Sequence, residues 1–273
     1  MILRNGIKLG YPFKLAIESL KGLCDEVIVA VDPTSEDDTV SAVQALHVHV
    51  VESVWDMTNH KGFDSSGGTP KETVVDEITR QTRIVVGAAE DRGLSTDWIF
   101  SLQADEILHP KNHGNLRRMV THADANHLTG ITLPRLYFYS SLGLIRQEWT
   151  MPLLRLFRPG CWDADEMSGA MSFVPVGRQG SADMGVTAPI YHYSRMGDPL
   201  LIAKRVRNLD TFYHPPAKLV EEVDLAPYDF VLHKHDNAAI KGATSEIDPR
   251  ARLQPYPSDE HPPGVAEFYE EKP

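Results

Sequence analysis

The sequence predicts an α/β domain built on a mostly parallel sheet flanked by helices. Three observations carry that reading. Glu26 to Val31 (EVIVAV) is a short, nearly continuous apolar run, the pattern of a strand covered on both faces. Helical and strand-like segments alternate from residue 11 to residue 51, the rhythm of βαβ units. The apolar run Trp98 to Leu102 (WIFSL) ends in acidic residues, and in open α/β sheets ligands gather at the carboxyl ends of strands.

Taken in order, Tyr11-Pro12 opens a helix whose Phe13, Ala16, Ile17 and Leu20 fall on one face, with Gly22 placed to end it. The buried strand at 26–31 follows, then a helix over Thr39 to Leu46 and a strand over Val48 to Val51, joined by right-handed crossovers. Residues 52–70 are rich in Gly and Ser (GFDSSGGTP) and read as a long loop, a length that often carries function. Val74, Ile78, Val85 and Ala89 mark an amphipathic helix before the strand at 98–102. A short helix at Leu116–Val120 and strands at Gly130–Leu133, Leu136–Tyr139 and Leu153–Phe157 complete the expected domain. Beyond His214 the chain turns Pro-rich (HPP, PYPSDEHPP), predicting a loosely structured C-terminal extension over 215–273. No internal repeat is visible.

Composition narrows the function classes. The 273 residues suffice for one large domain, and the apolar share of 42% and charged share of 24% are those of a globular protein. The formal charge of −11 disfavours a surface that grips nucleic acid by neutralising phosphates. No apolar run reaches the roughly 20 residues of a membrane span, and the start MILRNGIKLGYP lacks the apolar core of a secretory leader. With two separated cysteines, Cys24 and Cys161, no disulfide framework or thiolate zinc site is expected, and the reading is cytoplasmic without stable membrane insertion. His47 with His49, and His233-Lys234-His235-Asp236, lack the further ligands of a tetrahedral zinc site. There is no GxxxxGK[ST] loop, no GxGxxG after a strand and no GxSxG elbow.

The chemistry concentrates in four segments. Val31-Asp32-Pro33-Thr34-Ser35-Glu36-Asp37-Asp38-Thr39 follows the first buried strand, and its carboxylates are acceptors suited to base N–H and ribose hydroxyl groups. Ser35 with Asp38 also reads as a helix capping box. Ser101-Leu102-Gln103-Ala104-Asp105-Glu106 sets acidic groups at a strand end, or is simply an acidic loop. Pro189 to Arg195 (PIYHYSR) presents His192, a metal or phosphate contact or else a core histidine. Cys161 to Gly169 (CWDADEMSG) offers Asp163, Asp165 and Glu166 as general bases.

The first of these segments resembles the VDSGSTDGT-type stretch of family 2 glycosyltransferases, with Asp32, Ser35, Asp37 and Thr39 in register and Pro33 and Asp38 departing from it. The second resembles the metal-binding DxD segment of that family in a QADE form, with Gln103 in place of the first Asp. The third is similar to its HYG-type motif, with Ser194 in place of Gly. Arg4-Asn5, Tyr11-Pro12, Cys24-Asp25-Glu26, Trp55-Asp56 and Asp97-Trp98 fit the same branch.

The resemblance implies a GT-A type, Rossmann-like domain over 1–214, with a nucleotide-sugar-binding half at 1–110 and an acceptor-binding half at 111–214. The implied reaction is an inverting, metal-dependent transfer from a nucleotide-diphosphate sugar, a UDP-sugar being favoured, to a hydroxyl on a glycan, a lipid-linked sugar or another acceptor. A modified nucleic-acid base is the disfavoured acceptor. Nucleotide contacts fall to Arg4, Asn5, Asp32, Ser35, Asp37, Gln103 and Ala104. Asp105 and His192 are the ligands of Mn²⁺ or Mg²⁺, and Lys204 and Arg205 meet the diphosphate unless they form a solvated basic face. Glu166, Asp165 or Asp163 serves as base. Trp55, Glu106, Trp149 and Trp162 contact sugar or acceptor, although Trp149 and Trp162 also read as core aromatics. A nucleotidyltransferase on a related sheet and a weakly catalytic nucleotide-sugar-binding protein are the alternatives.

Overall fold

The computed structural model describes residues 1–56, 77–92, 98–139, 141–146, 152–164, 172–176, 182–183, 188–198, 201–202, 204–205, 208 and 253–270. The chain begins with β1 (Ile2–Leu3), α1 (Phe13–Lys21), β2 (Ile28–Val31), α2 (Thr39–Gln44) and β3 (His49–Glu52). These strands form an all-parallel sheet in the order β1-β2-β3, with Leu3 opposite Val31 and Val31 opposite Glu52. Helix α1 buries Phe13, Ala16, Ile17 and Leu20, the face its spacing predicts.

The chain continues through α3 (Glu77–Asp91), β4 (Ile99–Phe100), β5 (Glu106–Leu108), α4 (His113–Ala125), β6 (Gly130–Leu133), β7 (Arg135–Tyr139) and β8 (Ser141–Arg146). It then forms β9 (Leu153–Phe157), β10 (Trp162–Ala164), β11 (Phe173–Pro175), β12 (Ala182–Asp183), β13 (Ile190–Arg195), β14 (Leu253–Pro255) and α5 (Val265–Glu270). Two larger sheets run β12-β6-β9-β4 and β14-β8-β7-β13-β5, and β10 pairs with β11.

The mixed α/β class stands, but the expectation of a mostly parallel sheet does not. Beyond β1-β2-β3, parallel pairing among the described residues is confined to β6 with β12 and β7 with β13. The physical reason is connection length: β7 turns directly into β8, with Tyr139 opposite Ser141, and so short a link permits only an antiparallel pair.

The loose C-terminal extension also needs correction, for residues 253–270. Strand β14 adds to the edge of β8, placing Leu253 opposite Arg146. Val265 joins the main core, and Tyr256 and Tyr269 pack against it. His261 seals the junction: Tyr193 Oη lies 2.8 Å from its Nδ1, and its Nε2 lies 2.8 Å from the Leu142 carbonyl. That carbonyl can only accept, so Nε2 carries the proton and Tyr193 donates to Nδ1.

The main core gathers Leu3, Ile17, Val29, Leu102, Ile107, Leu133, Phe138 and Tyr191 between α1, α4 and the sheets. A second cluster of Leu154, Phe157, Trp162, Ala164 and Phe173 lies under α3. Gly130 is required there, because a Cβ at that position would stand 2.6 Å from the Trp162 ring.

Candidate functional site

Two strand ends carry the candidate groups. At the end of β2, Asp32 is wholly buried and both its carboxylate oxygens are engaged. Arg4 Nε donates to Oδ2 at 2.9 Å, and the Thr34 amide and hydroxyl donate to Oδ1 at 2.8 and 2.7 Å. The surrounding side chains knit the loop after β1 to the loop after β2. Ser35 Oγ accepts the Asn5 amide at 3.3 Å and donates to the Asp32 carbonyl at 2.8 Å. Asn5 Oδ1 accepts the Glu36 amide at 2.7 Å, from a left-handed backbone with φ of 50°.

Asp37 accepts the amides of Lys8 at 2.6 Å and Thr39 at 3.0 Å. Burial pushes the Asp37 carboxyl upward, and these hydrogen bonds more than offset it, leaving the group below its ordinary value. The Ser35–Asp38 capping box does not form: Asp38 precedes α2 without a side-chain cap bond, and Asp37 reaches the Thr39 amide instead. Arg4, Asn5, Asp32, Ser35 and Asp37 are thus brought together.

At the second strand end, β13 lies between β5 and β7 with His192 opposite both Glu106 and Tyr137. Directly paired residues share a face. The Tyr193 amide donates to the Asp105 carbonyl at 2.9 Å, and His192 Nε2 stands 3.5 Å from Asp105 Oδ2. Asp105 is buried. Burial holds the His192 imidazole below its ordinary value, with Asp105 pulling the other way and Arg135 adding to the depression. Tyr137 stacks obliquely on His192 with ring centres 4.5 Å apart.

No protein-family model and no curated protein matches this chain.

Several expected contacts are spent on the fold. Glu106, read as a sugar or acceptor contact, is wholly buried, accepting Arg155 Nη2 at 2.6 Å and the Gln103 amide at 3.0 Å. Arg205, read as a diphosphate ligand, donates to the carbonyls of Leu9 (2.5 Å), Gly10 (2.5 Å), Met196 (2.9 Å) and Ser194 (3.2 Å). Its guanidinium is therefore committed to backbone, while Lys204 is exposed. Trp162 is a core aromatic whose Nε1 donates to the Thr129 carbonyl at 2.7 Å. Ala104 packs against the main core and Gln103 is half-buried.

Asp163 on β10 takes a two-pronged ion pair from Arg83 at 2.8 and 2.6 Å. The Arg83 hydrogen bond lowers the Asp163 carboxyl below its usual range, which makes it a weak base. Trp55 is half-buried beside the point where Arg80 and Gln81 grip the Val54 carbonyl at 2.7 and 3.1 Å. Trp149, Asp165 and Glu166 lie outside the described residues.

The sequence reading missed Arg135 and Arg155, which flank Glu106. A signal was present: each is an Arg inside an otherwise apolar strand, in PRLYFY and LLRLF. Such a residue must find a buried partner.

Among the described residues no group of three or more His, Cys, Asp or Glu side chains is arranged to hold a metal ion. Asp105 and His192 offer a carboxylate oxygen and an imidazole nitrogen facing one another. That donor set fits a divalent ion which takes its remaining ligands from outside the protein.

Proposed function

We propose that this chain is a GT-A type glycosyltransferase that moves a sugar from a nucleotide-diphosphate sugar to an acceptor hydroxyl with inversion. The observation that carries the reading is the approach of His192 to Asp105, 3.5 Å between Nε2 and Oδ2, from two motifs far apart in sequence. The parallel β1-β2-β3 sheet, with Asp32 closing its middle strand, supports a nucleotide-binding half of Rossmann-like form.

In this reading Asp32 and Arg4 meet the nucleoside, with Asn5, Ser35 and Asp37 holding their loops in place. Asp105 and His192 would hold Mn²⁺ or Mg²⁺, whose chemistry is to neutralise the charge that develops on the departing diphosphate. The Asp105 backbone is fixed by the sheet, so its carboxylate is positioned before substrate arrives. The acceptor proton goes to a carboxylate in the segment 165–166, since Asp163 is held by Arg83. The donor reading favours uridine diphosphate sugars. The acceptor is a glycan, a lipid-linked sugar or another hydroxyl compound, and the net charge of −11 weighs against a nucleic-acid base. No described helix is long and apolar enough to cross a membrane.

The test is hydrolysis and transfer with a panel of nucleotide sugars, with and without Mn²⁺. Asp105→Asn, which keeps the side chain's shape, should abolish the metal-stimulated part of turnover in the folded protein, with folding checked by its melting curve. Turnover that ignores both Mn²⁺ and the substitution, or no turnover of any nucleotide sugar, would sink the reading.

A further inference from the structure

Beside Asp105 and His192, the positive charge buried with Glu106 exceeds what that carboxylate balances. Arg155 is wholly buried and Arg135 is 6% exposed. Both are directed at the same oxygen, Glu106 Oε1, at 2.6 Å from Arg155 Nη2 and 3.9 Å from Arg135 Nη1. Two guanidiniums share one carboxylate. Arg135 also lies 5.5 Å over the Tyr137 ring, an attraction that does not cancel a full charge.

The hydrogen bonding is incomplete in the same place. Among the described residues, Nε and Nη1 of Arg155 and Nε of Arg135 are buried without a hydrogen-bond partner. Leaving donors of a buried cation unmatched costs more than leaving neutral ones, since the ion has lost its hydration as well. Asp105, which faces His192, also acts on the Arg135 cation and offsets part of its charge, but it leaves the N–H groups of Arg135 and Arg155 unmatched.

We infer that Arg135 and Arg155 form an oxyanion receptor adjoining the Asp105–His192 pair, for a phosphate or carboxylate group carried by the substrate. The planar fork of a guanidinium matches either group. Burial is graded across the site: side-chain exposure is 12% at Asp105, 7% at His192, 8% at Arg135 and 0% at Arg155. Arg135 is thus the more accessible of the two guanidiniums. Glu106 fixes the two cations in place. The inference rests on the transferase reading only for where the anion comes from: the donor diphosphate, or an acidic group on a sugar.

The experiment is calorimetry in metal-free buffer with inorganic pyrophosphate, glucuronate and uridine as separate probes. The proteins are the wild type, Arg135→Gln, Arg135→Lys and Arg155→Lys, each checked by its melting curve. Wild type should bind one anion, and Arg135→Gln should weaken it about tenfold or more with uridine affinity unchanged. The Lys variants, which keep charge but lose the fork, should fall between. Tighter binding of pyrophosphate assigns the site to the donor, and tighter binding of glucuronate assigns it to an acidic sugar. Equal anion affinity in wild type and folded Arg135→Gln, or no anion binding by wild type, overturns the inference. Should Arg135→Gln fail to fold, the Lys variants decide by the same comparison. Retained pyrophosphate binding with no turnover of any nucleotide sugar would remove the transferase reading and leave the receptor standing.

Discussion

His192 and Asp105 are coupled twice, by the 3.5 Å approach of Nε2 to Oδ2 and by the 2.9 Å bond from the amide of Tyr193, next in sequence, to the Asp105 carbonyl. The acidic group is thereby held by the β13 ladder and not by its own turn alone. Replacing His192 by Asn should raise the Mn²⁺ concentration for half-maximal turnover by about tenfold or more, as expected for loss of a metal contact. A Mn²⁺ titration of nucleotide-sugar hydrolysis reads this directly, and an unchanged midpoint would remove His192 from the metal site.

The carboxylate proposed to meet the nucleoside, that of Asp32, also organises Arg4 and Thr34. Asp32→Ala should weaken nucleotide binding by about 1–3 kcal/mol, the scale for a hydrogen bond to a charged group, and should lower the melting temperature as well. Calorimetry alongside thermal melts separates the effects. Lost stability at unchanged affinity would make Asp32 a loop anchor alone.

Arg205→Met should behave as a stability variant. Four carbonyls lose their donor, and a loss of about 2–4 kcal/mol is expected, the scale for stranding buried acceptors of a charged donor. The KM for nucleotide sugar in the folded fraction should stay near wild type. A raised KM at intact stability would restore the diphosphate role.

Glu106→Gln should destabilise by about 3–5 kcal/mol, since it strands Arg155 in the core. A variant as stable as wild type, changed only in acceptor preference, would contradict the structural role given to this carboxylate.

His261 gives the fold a pH dependence. Burial holds its imidazole below the ordinary value, so on acidification the unfolded chain takes up a proton before the folded chain does. Its contribution is full above about pH 7 and is lost as pH falls through about 6.5 toward the lower folded value. The groups around it are Tyr193, Tyr256, Phe138 and Lys111, the last adding to the depression. Melting temperature should therefore drop on acidification in wild type, and His261→Leu should flatten that part of the profile. Parallel profiles for the two proteins would discount His261.

What the sequence made legible follows from its physics. Helix α1 and strands β2, β6 and β9 were readable because burial imposes a period or an unbroken apolar run. Strand β5 was not, because Glu106 looks like a solvated acid until Arg155 is beside it, and the two are joined only by folding. Strand β14 hid in a Pro-rich stretch, where Pro255 is tolerated at a sheet edge. Arg205 carries the same charge whether it meets a phosphate or a carbonyl, so its type could not tell which. The Asp32 and Asp105 segments were singled out because each lies just beyond an apolar run and resembles a family motif.

The pairing of β14 with β8 sets an order of events during synthesis. Strand β8 leaves the ribosome about a hundred residues before its partner, an interval of roughly 5–20 s at usual elongation rates. Through that interval Leu144 and Ile145 present an open edge, the kind of template that recruits strands from other chains. Nascent chains halted before residue 253 should accordingly associate with one another or with holding chaperones, and release should coincide with emergence of Leu253 to Pro255.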